Sequence, residues 1–145
     1  YERTVAMVAV MSGDPNLQGR IHERLLDKIN RDTCVLVAHS LGTVIAYRTL
    51  CEHPEIELDT FVTLGSPLGG DFIGDDAAHD WPGGVRRWVD VFARGDSVAS
   101  GSVAARFGDR VEEHRIDNGH RAHDPEPYLN ARATGAAIAR ALGDN

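Results

Sequence analysis

The sequence predicts an α/β fold in which a mostly parallel sheet is flanked by helices. Two patterns lead to this prediction. Short apolar runs rich in β-branched residues, typical of buried strands, alternate along the chain with longer stretches whose apolar residues recur at helical spacing. The chain has 145 residues, and its 42% hydrophobic and 26% charged content is that of an ordinary globular domain. We therefore expect one core.

The first helix is predicted to begin after Asp14. Asp14 is a favoured N-cap residue, and Pro15 suits the first helical position because its fixed φ matches that of a helix. Apolar residues then recur on one face, which should be buried: Leu17, Ile21, Leu25 and Ile29. The next run, CVLVA at 34–38, is apolar throughout. Because a half-exposed strand would alternate with polar residues, this run predicts a strand covered on both faces.

The rest of the chain repeats the alternation of helix and strand. Apolar residues recur again at helical spacing over 41–51, and the His53-Pro54 pair marks the end of this predicted helix. Two strands are predicted over 61–67 and 85–96, and each runs into a turn that contains glycine. The segment 110–117 is shorter and more polar, which indicates an edge strand. The Ala-rich segment 134–142 predicts the last helix.

A long loop is predicted over 69–84, where Gly and Asp are frequent and Phe72, Ile73 and Trp81 are isolated apolar residues. Loops of this length usually cover a site or move, so we expect a lid or a mobile loop. A surface insertion without such a role is the alternative. The three apolar residues suggest contact with an apolar acyl or lipid group, although residues of this kind equally often anchor a loop to its own domain.

Charge and cysteine content limit the partners and the compartment. The net charge of -7, from 15 Lys and Arg against 22 Asp and Glu, gives no basic face for nucleic acid. No apolar run approaches the roughly 20 residues of a transmembrane helix, and the first residues do not form a signal peptide. Cys34 and Cys51 are too few for a disulfide framework and are expected to be reduced and buried. These features predict a cytoplasmic protein without a transmembrane segment.

Ser40 lies between the predicted strand at 34–38 and the predicted helix at 41–51, in the string Ala38-His39-Ser40-Leu41-Gly42. The nucleophile elbow G-x-S-x-G occupies this strand-to-helix context, since its strained turn exposes the serine oxygen and favours small flanking residues. Ala replaces the first Gly of that motif here. The sequence therefore predicts Ser40 as a nucleophile. A serine that merely caps the following helix is the alternative.

Four blocks follow one another along the chain: AHSLGTVIAY at 38–47, TLGSPLG at 63–69, WPGGVRRWVDVFARGDSVA at 81–99 and FGDRVEEHRIDNGHRAHDPEPYL at 107–129. In order and spacing they resemble the lipase-like and esterase-like bacterial serine hydrolases of the α/β-hydrolase superfamily. The resemblance covers the chain from about Asp14 onward. It implies one α/β-hydrolase domain over 1–145, with catalytic residues in the order Ser, acid, His.

The resemblance implies which residues would act with Ser40. The acid is expected directly after a strand, where Asp96 stands. Asp90 competes for this role, but it lies inside the predicted strand, away from the carboxyl end where sites in α/β sheets gather. The base is expected on the loop before the last helix, which holds His120 and His123. The AHD-like string of the family favours His123, with His120 as the alternative base.

The resemblance also implies acyl transfer to water through an acyl-enzyme on Ser40. The backbone N–H of Leu41 is expected to donate one oxyanion hydrogen bond, and His39 to form a wall of the site. No cofactor is expected, and no metal, because the histidines lack a zinc-like spacing with Cys or carboxylates. The expected substrate is a small molecule with an acyl or lipid-like group. An acyltransferase or thioesterase with the same triad, and a non-catalytic interaction or regulatory module, are the alternatives.

The segment before Ser40 departs from the family pattern. An α/β-hydrolase builds several strands ahead of its elbow, and its second oxyanion donor comes from an early loop that often contains an HG string. Neither is found upstream of Ser40. We therefore expect the C-terminal half of the fold, incomplete at the N-terminus. Because a sheet without its early strands exposes an apolar edge, we also expect a partner chain that supplies them or a homo-oligomer.

Overall fold

The computed structural model describes residues 14–71 and 80–143. Within these ranges, four strands form one sheet in the order β1-β2-β3-β4, and every neighbouring pair is parallel. The strands are β1 (Val35–His39), β2 (Leu58–Leu64), β3 (Val85–Ala93) and β4 (Val111–Ile116). The helices are α1 (Pro15–Leu26), α2 (Leu41–Glu52), α3 (Val103–Phe107), α4 (Pro125–Leu129) and α5 (Arg132–Ala141). The predicted α/β class and parallel sheet are confirmed.

The strand register aligns the carboxyl ends of the sheet. His39 at the end of β1 pairs with Leu64 of β2, which pairs with Val91 of β3. Val91 in turn pairs with His114 of β4. Because all the strands run in one direction, the loops that follow them emerge at the same edge of the sheet, where sites of open α/β sheets form.

The two faces of the sheet carry separate hydrophobic cores rather than the single core expected, because the sheet lies between them. One face packs against α2 and α3, with Trp88 of β3 fully buried among aromatic side chains: Tyr47, Phe61, Trp81 and Phe107. The other face packs against α4 and α5 through Tyr128 and Ala137. Both Trp88 and Tyr128 are 0% exposed. Helices on both faces explain why most residues of β2 and β3 are buried.

The structure corrects three expectations about burial. All five residues of β1 are half-buried rather than covered, because β1 is an edge strand among the described residues. The helix α1 has no fully buried residue, and Ile29 lies beyond its end. Cys34 is exposed and Cys51 half-buried, although both are free thiols as expected. The prediction that 110–117 forms an edge strand is confirmed by β4, which is the last strand of the sheet formed by the described part of the chain.

The loop predicted as a lid is described only at its two ends. Phe72 and Ile73 lie outside the described residues, as do the residues before Asp14, so the expectations about them stay predictions. Trp81 is anchored to the domain: its Nε1 donates to the carbonyl of Val85 over 2.7 Å, and its ring contacts Trp88. Trp81 is therefore a packing residue.

No helix in the parts of the chain covered by the structure, 14–71 and 80–143, is long and apolar enough to cross a membrane.

Candidate active site

Ser40 forms the turn between β1 and α2. Its backbone has φ 56° and ψ -128°, and it is the only non-glycine residue in the described ranges with positive φ. Such a conformation costs on the order of 1–3 kcal/mol and clusters at functional sites. The Ser40 N–H donates to the carbonyl of Leu64 over 2.9 Å, which ties the turn to β2. The Ser40 side chain makes no capping hydrogen bond, so the helix-cap alternative is wrong.

The side chains of Ser40, His123 and Asp96 form a continuous hydrogen-bonded line. Ser40 Oγ lies 2.8 Å from His123 Nε2, and His123 Nδ1 lies 2.9 Å from Asp96 Oδ2. Because a carboxylate only accepts, Nδ1 carries the proton and Nε2 presents its lone pair to the serine hydroxyl. These residues follow three different elements: β1, β3 and β4. The parallel sheet brings them together at its carboxyl edge.

Asp96 is held in a buried pocket as an ionised group. Its side chain is 0% exposed, and Oδ2 also accepts from the Tyr128 hydroxyl over 2.6 Å. Oδ1 accepts from the backbone N–H of Val98 over 2.9 Å. Burial acts to raise the pKa of Asp96, but the hydrogen bonds from His123 and Tyr128 outweigh it, so the pKa lies below the usual range. Asp96 is therefore an anion at neutral pH.

Tyr128 and Gly65 complete this pocket, and sequence reasoning assigned neither to the site. The Tyr128 oxygen accepts the N–H of Ala93 over 2.8 Å while its hydroxyl proton goes to Asp96. Gly65, directly after β2, has φ 54°, and a Cβ there would lie 3.0 Å from Asp96 Oδ2. Both residues lie in the sequence blocks that carry the family resemblance, and this position is the feature of the sequence that could have assigned them to the site.

His39 lies beside the base. Its Nε2 is 3.0 Å from the backbone carbonyl of His123, and because a carbonyl only accepts, Nε2 carries the proton. The two imidazole rings are 4.9 Å apart. Burial lowers the pKa of His39, and the charge of a protonated His123 lowers it further. His39 is thus a neutral residue that positions the loop of His123, consistent with its predicted place in the site wall.

The competing candidates lie elsewhere. His120 is exposed, in the single turn Gly119–Arg121, and the imidazole at Ser40 Oγ belongs to His123. Asp90 is buried within β3 and accepts from the Thr63 hydroxyl over 2.5 Å. The partner of Asp90 therefore belongs to the neighbouring strand β2. Burial raises the pKa of Asp90 to about 7.

Leu41 is the first residue of α2, where backbone N–H groups have no intrahelical partner and the helix dipole favours negative charge. Thr43 braces this turn: its hydroxyl donates to the carbonyl of Ser40 over 2.6 Å and contacts the Ser66 hydroxyl at 2.7 Å. An added Cβ at Gly42 would meet no described atom within 4 Å. The steric reason expected for this glycine is therefore not seen within the part of the chain that the structure describes.

Comparison with known proteins gives no relative. No protein-family model, no curated protein and no solved structure matches this chain. Its chemistry is therefore inferred from the geometry of the site.

Proposed function

We propose that this protein is a serine hydrolase of the α/β-hydrolase type, which cleaves an ester, thioester or related acyl bond of a small acyl or lipid-like substrate. The observation that carries this proposal is the hydrogen-bonded line from Ser40 Oγ through His123 to Asp96, built on a strained strand-to-helix turn. A serine hydroxyl is a weak nucleophile at neutral pH, and a base within hydrogen-bonding distance activates it.

The reaction follows from the position of each proton. His123 Nε2 takes the Ser40 proton as Oγ bonds to the substrate carbonyl carbon, and Asp96 stabilises the resulting imidazolium. The Leu41 N–H donates to the oxyanion, an interaction typically worth about 100-fold to 1,000-fold in kcat. The bond to the leaving group breaks, and that group takes the proton from His123. Water then attacks the acyl-enzyme, His123 removes its proton, and Ser40 regains a hydrogen as the acid departs.

Two features of the described pocket support the proposal. Asp96 is anionic before substrate arrives, because four hydrogen-bond donors reach its two oxygens. The His123 side chain is 31% exposed and Ser40 is half-buried, so neither residue is sealed off from solvent. An acid that is fully buried and a base that is partly open are what a general-base mechanism needs.

Hydrolysis of a short chromogenic ester, p-nitrophenyl butyrate, tests this proposal. We expect Ser40→Ala and His123→Gln each to lower kcat by about 10⁴-fold or more, because triad members act as a unit. His120→Gln and Ser100→Ala change an exposed histidine and an exposed serine and should stay within about twofold of the wild type.

Two results would contradict the proposal. Turnover that survives Ser40→Ala would place the chemistry elsewhere. A folded wild-type protein that neither hydrolyses esters nor reacts with a fluorophosphonate would indicate the non-catalytic module instead.

A further inference from the structure

A second group of polar side chains lies at the other end of α2 from Ser40. It comprises His22 of α1, Glu52 at the last position of α2, and His53, the residue that ends that helix. The two Nε2 atoms of His22 and His53 are 3.1 Å apart, and Glu52 Oε2 lies 3.6 Å from His22 Nε2. One ligand atom from each of the three residues lies within 4.8 Å of the others.

The remaining hydrogen bonds fix the protons on both rings. The Thr49 hydroxyl donates its single proton to the carbonyl of Ile45 over 2.8 Å, so at 3.1 Å from His22 Nδ1 it accepts. His22 Nδ1 therefore carries a proton. His53 Nδ1 lies 2.8 Å from Glu55 Oε1, and a carboxylate only accepts, so it too is protonated. In the neutral rings, both Nε2 atoms then present lone pairs to each other.

Two lone pairs that face each other at this distance repel unless a cation lies between them. Tetrahedral ligands bound at about 2.0–2.1 Å from Zn²⁺ are about 3.3 Å apart, close to the separation of these two nitrogens. Metal-binding histidines usually donate their other N–H to an oxygen, and both rings do so here, to Thr49 and Glu55. The arrangement therefore has both the ligands and the supporting hydrogen bonds of a metal site.

We propose that His22, His53 and Glu52 bind a divalent metal ion of the zinc class, with water as a further ligand. The side chains of His22, His53 and Glu52 are 20%, 32% and 65% exposed, which leaves a path for the ion and room for water. The ion would join α1 to the end of α2. Since α2 has 12 residues and rises about 1.5 Å per residue, this site lies about 18 Å from Ser40, and its role is structural.

The sequence alone predicted no metal site, because the ligands are 30 residues apart and do not form a zinc-like motif. The packing of α1 on α2 brings them together. This inference is independent of the hydrolase proposal, and it can fail or succeed alone.

Titration of the full chain with Co²⁺, followed by visible absorption, and with Zn²⁺, followed by calorimetry, tests the site. We expect one ion per chain. His22→Gln and His53→Gln should each weaken binding at least about tenfold, because each removes one ligand while keeping a polar side chain of similar size. Zn²⁺ should raise the Tm of the wild type, and at the same Zn²⁺ concentration it should raise the Tm of these two variants less.

Two matched variants control for other histidines. His114→Gln changes a surface histidine that pairs with Glu112, and His123→Gln changes the base at Ser40. Both should bind the ion within about twofold of the wild type. Absence of binding, or binding that survives both His22→Gln and His53→Gln, would overturn the proposal and indicate that the two rings merely share a proton. Loss of binding in His123→Gln alone would also overturn it.

Discussion

At the scale of single residues, Tyr128 governs the charge on Asp96. Its pKa is raised, first by burial and then by the hydrogen bond to Asp96, so the phenol keeps its proton and donates it to the carboxylate. Donation by Tyr128 draws negative charge away from the oxygen that also accepts from His123. The strength of the bond between acid and base is therefore set partly by a residue that touches neither the serine nor the substrate.

Tyr128→Phe should move the acidic limb of the pH–rate profile to higher pH. Without the phenol donor, the carboxylate of Asp96 holds more negative charge and stabilises a protonated His123 more strongly. The free energy of unfolding should fall by about 1–3 kcal/mol, since the buried N–H of Ala93 loses its acceptor. Urea unfolding and the pH dependence of ester hydrolysis measure the two effects.

Tyr47→Phe is the matched control, because Tyr47 is a buried tyrosine whose hydroxyl donates to the carbonyl of Asp80, in the other core. We expect this variant to lose stability without any change in the pH profile. A pH profile that is equally unchanged in Tyr128→Phe would show that Tyr128 has only a packing role.

At the scale of the elements, the site depends on where the strands end. Gly65 at the end of β2 must pass within contact distance of Asp96 and Tyr128, and only a residue without a side chain leaves that space. Its φ of 54° adds a second requirement for glycine. The loop after β2 thus helps to hold Asp96 in place by packing. Gly65 contributes its backbone to this packing and no polar side chain.

Gly65→Ala should lower the free energy of unfolding by about 1–3 kcal/mol and reduce kcat, because the new methyl group pushes on Asp96 Oδ2. Gly135→Ala is the control: Gly135 is exposed within α5, and an added Cβ there meets no described atom within 4 Å. The free energy of unfolding of that variant should rise by about 0.5–1 kcal/mol. Urea unfolding measures the free energy of unfolding of both variants. Equal changes in that free energy at the two sites would contradict the packing assigned to Gly65.

At the scale of the whole molecule, the centre of the sheet holds an ionisable group that the site does not use. Asp90 is 3% exposed, and it accepts from Thr63, whose hydroxyl oxygen in turn accepts from Trp88 Nε1 over 3.0 Å. Burial raises the pKa of Asp90 from 3.8 to about 7. Between about pH 3.8 and pH 7 the folded protein therefore keeps a proton on Asp90 that the unfolded chain has already released.

This difference makes the stability contributed by Asp90 greatest below pH 3.8 and progressively lost as the pH rises to about 7. Asp90→Asn cannot titrate, so its stability relative to the wild type should improve by on the order of 3 kcal/mol between pH 5 and pH 8. Urea unfolding at both pH values measures this change. Asp109→Asn, at an exposed aspartate, should show no such trend. A parallel pH dependence of Asp90→Asn and the wild type would mean that Asp90 is ionised in the fold.

The parts of the molecule that follow from local chemistry were predictable from the sequence. The Asp14 cap, the apolar runs of β2 and β3, and the strand-to-helix turn at Ser40 each result from residues adjacent in the chain. Contacts between distant segments were not predictable in the same way. The hydrogen bond from Tyr128 to Asp96 spans 32 residues, and the contact between His22 and His53 spans 31. Their partners depend on how helices pack, which residue spacing along the chain does not determine.

The most direct measurement of the central claim is the intact mass of the protein after incubation with a fluorophosphonate, followed by peptide mapping. If Ser40 is a nucleophile activated by His123, one phosphonyl adduct forms and maps to Ser40, while Ser40→Ala and His123→Gln remain unmodified over the same period. No adduct on the folded wild-type protein, or an adduct formed equally fast without His123, would contradict the claim.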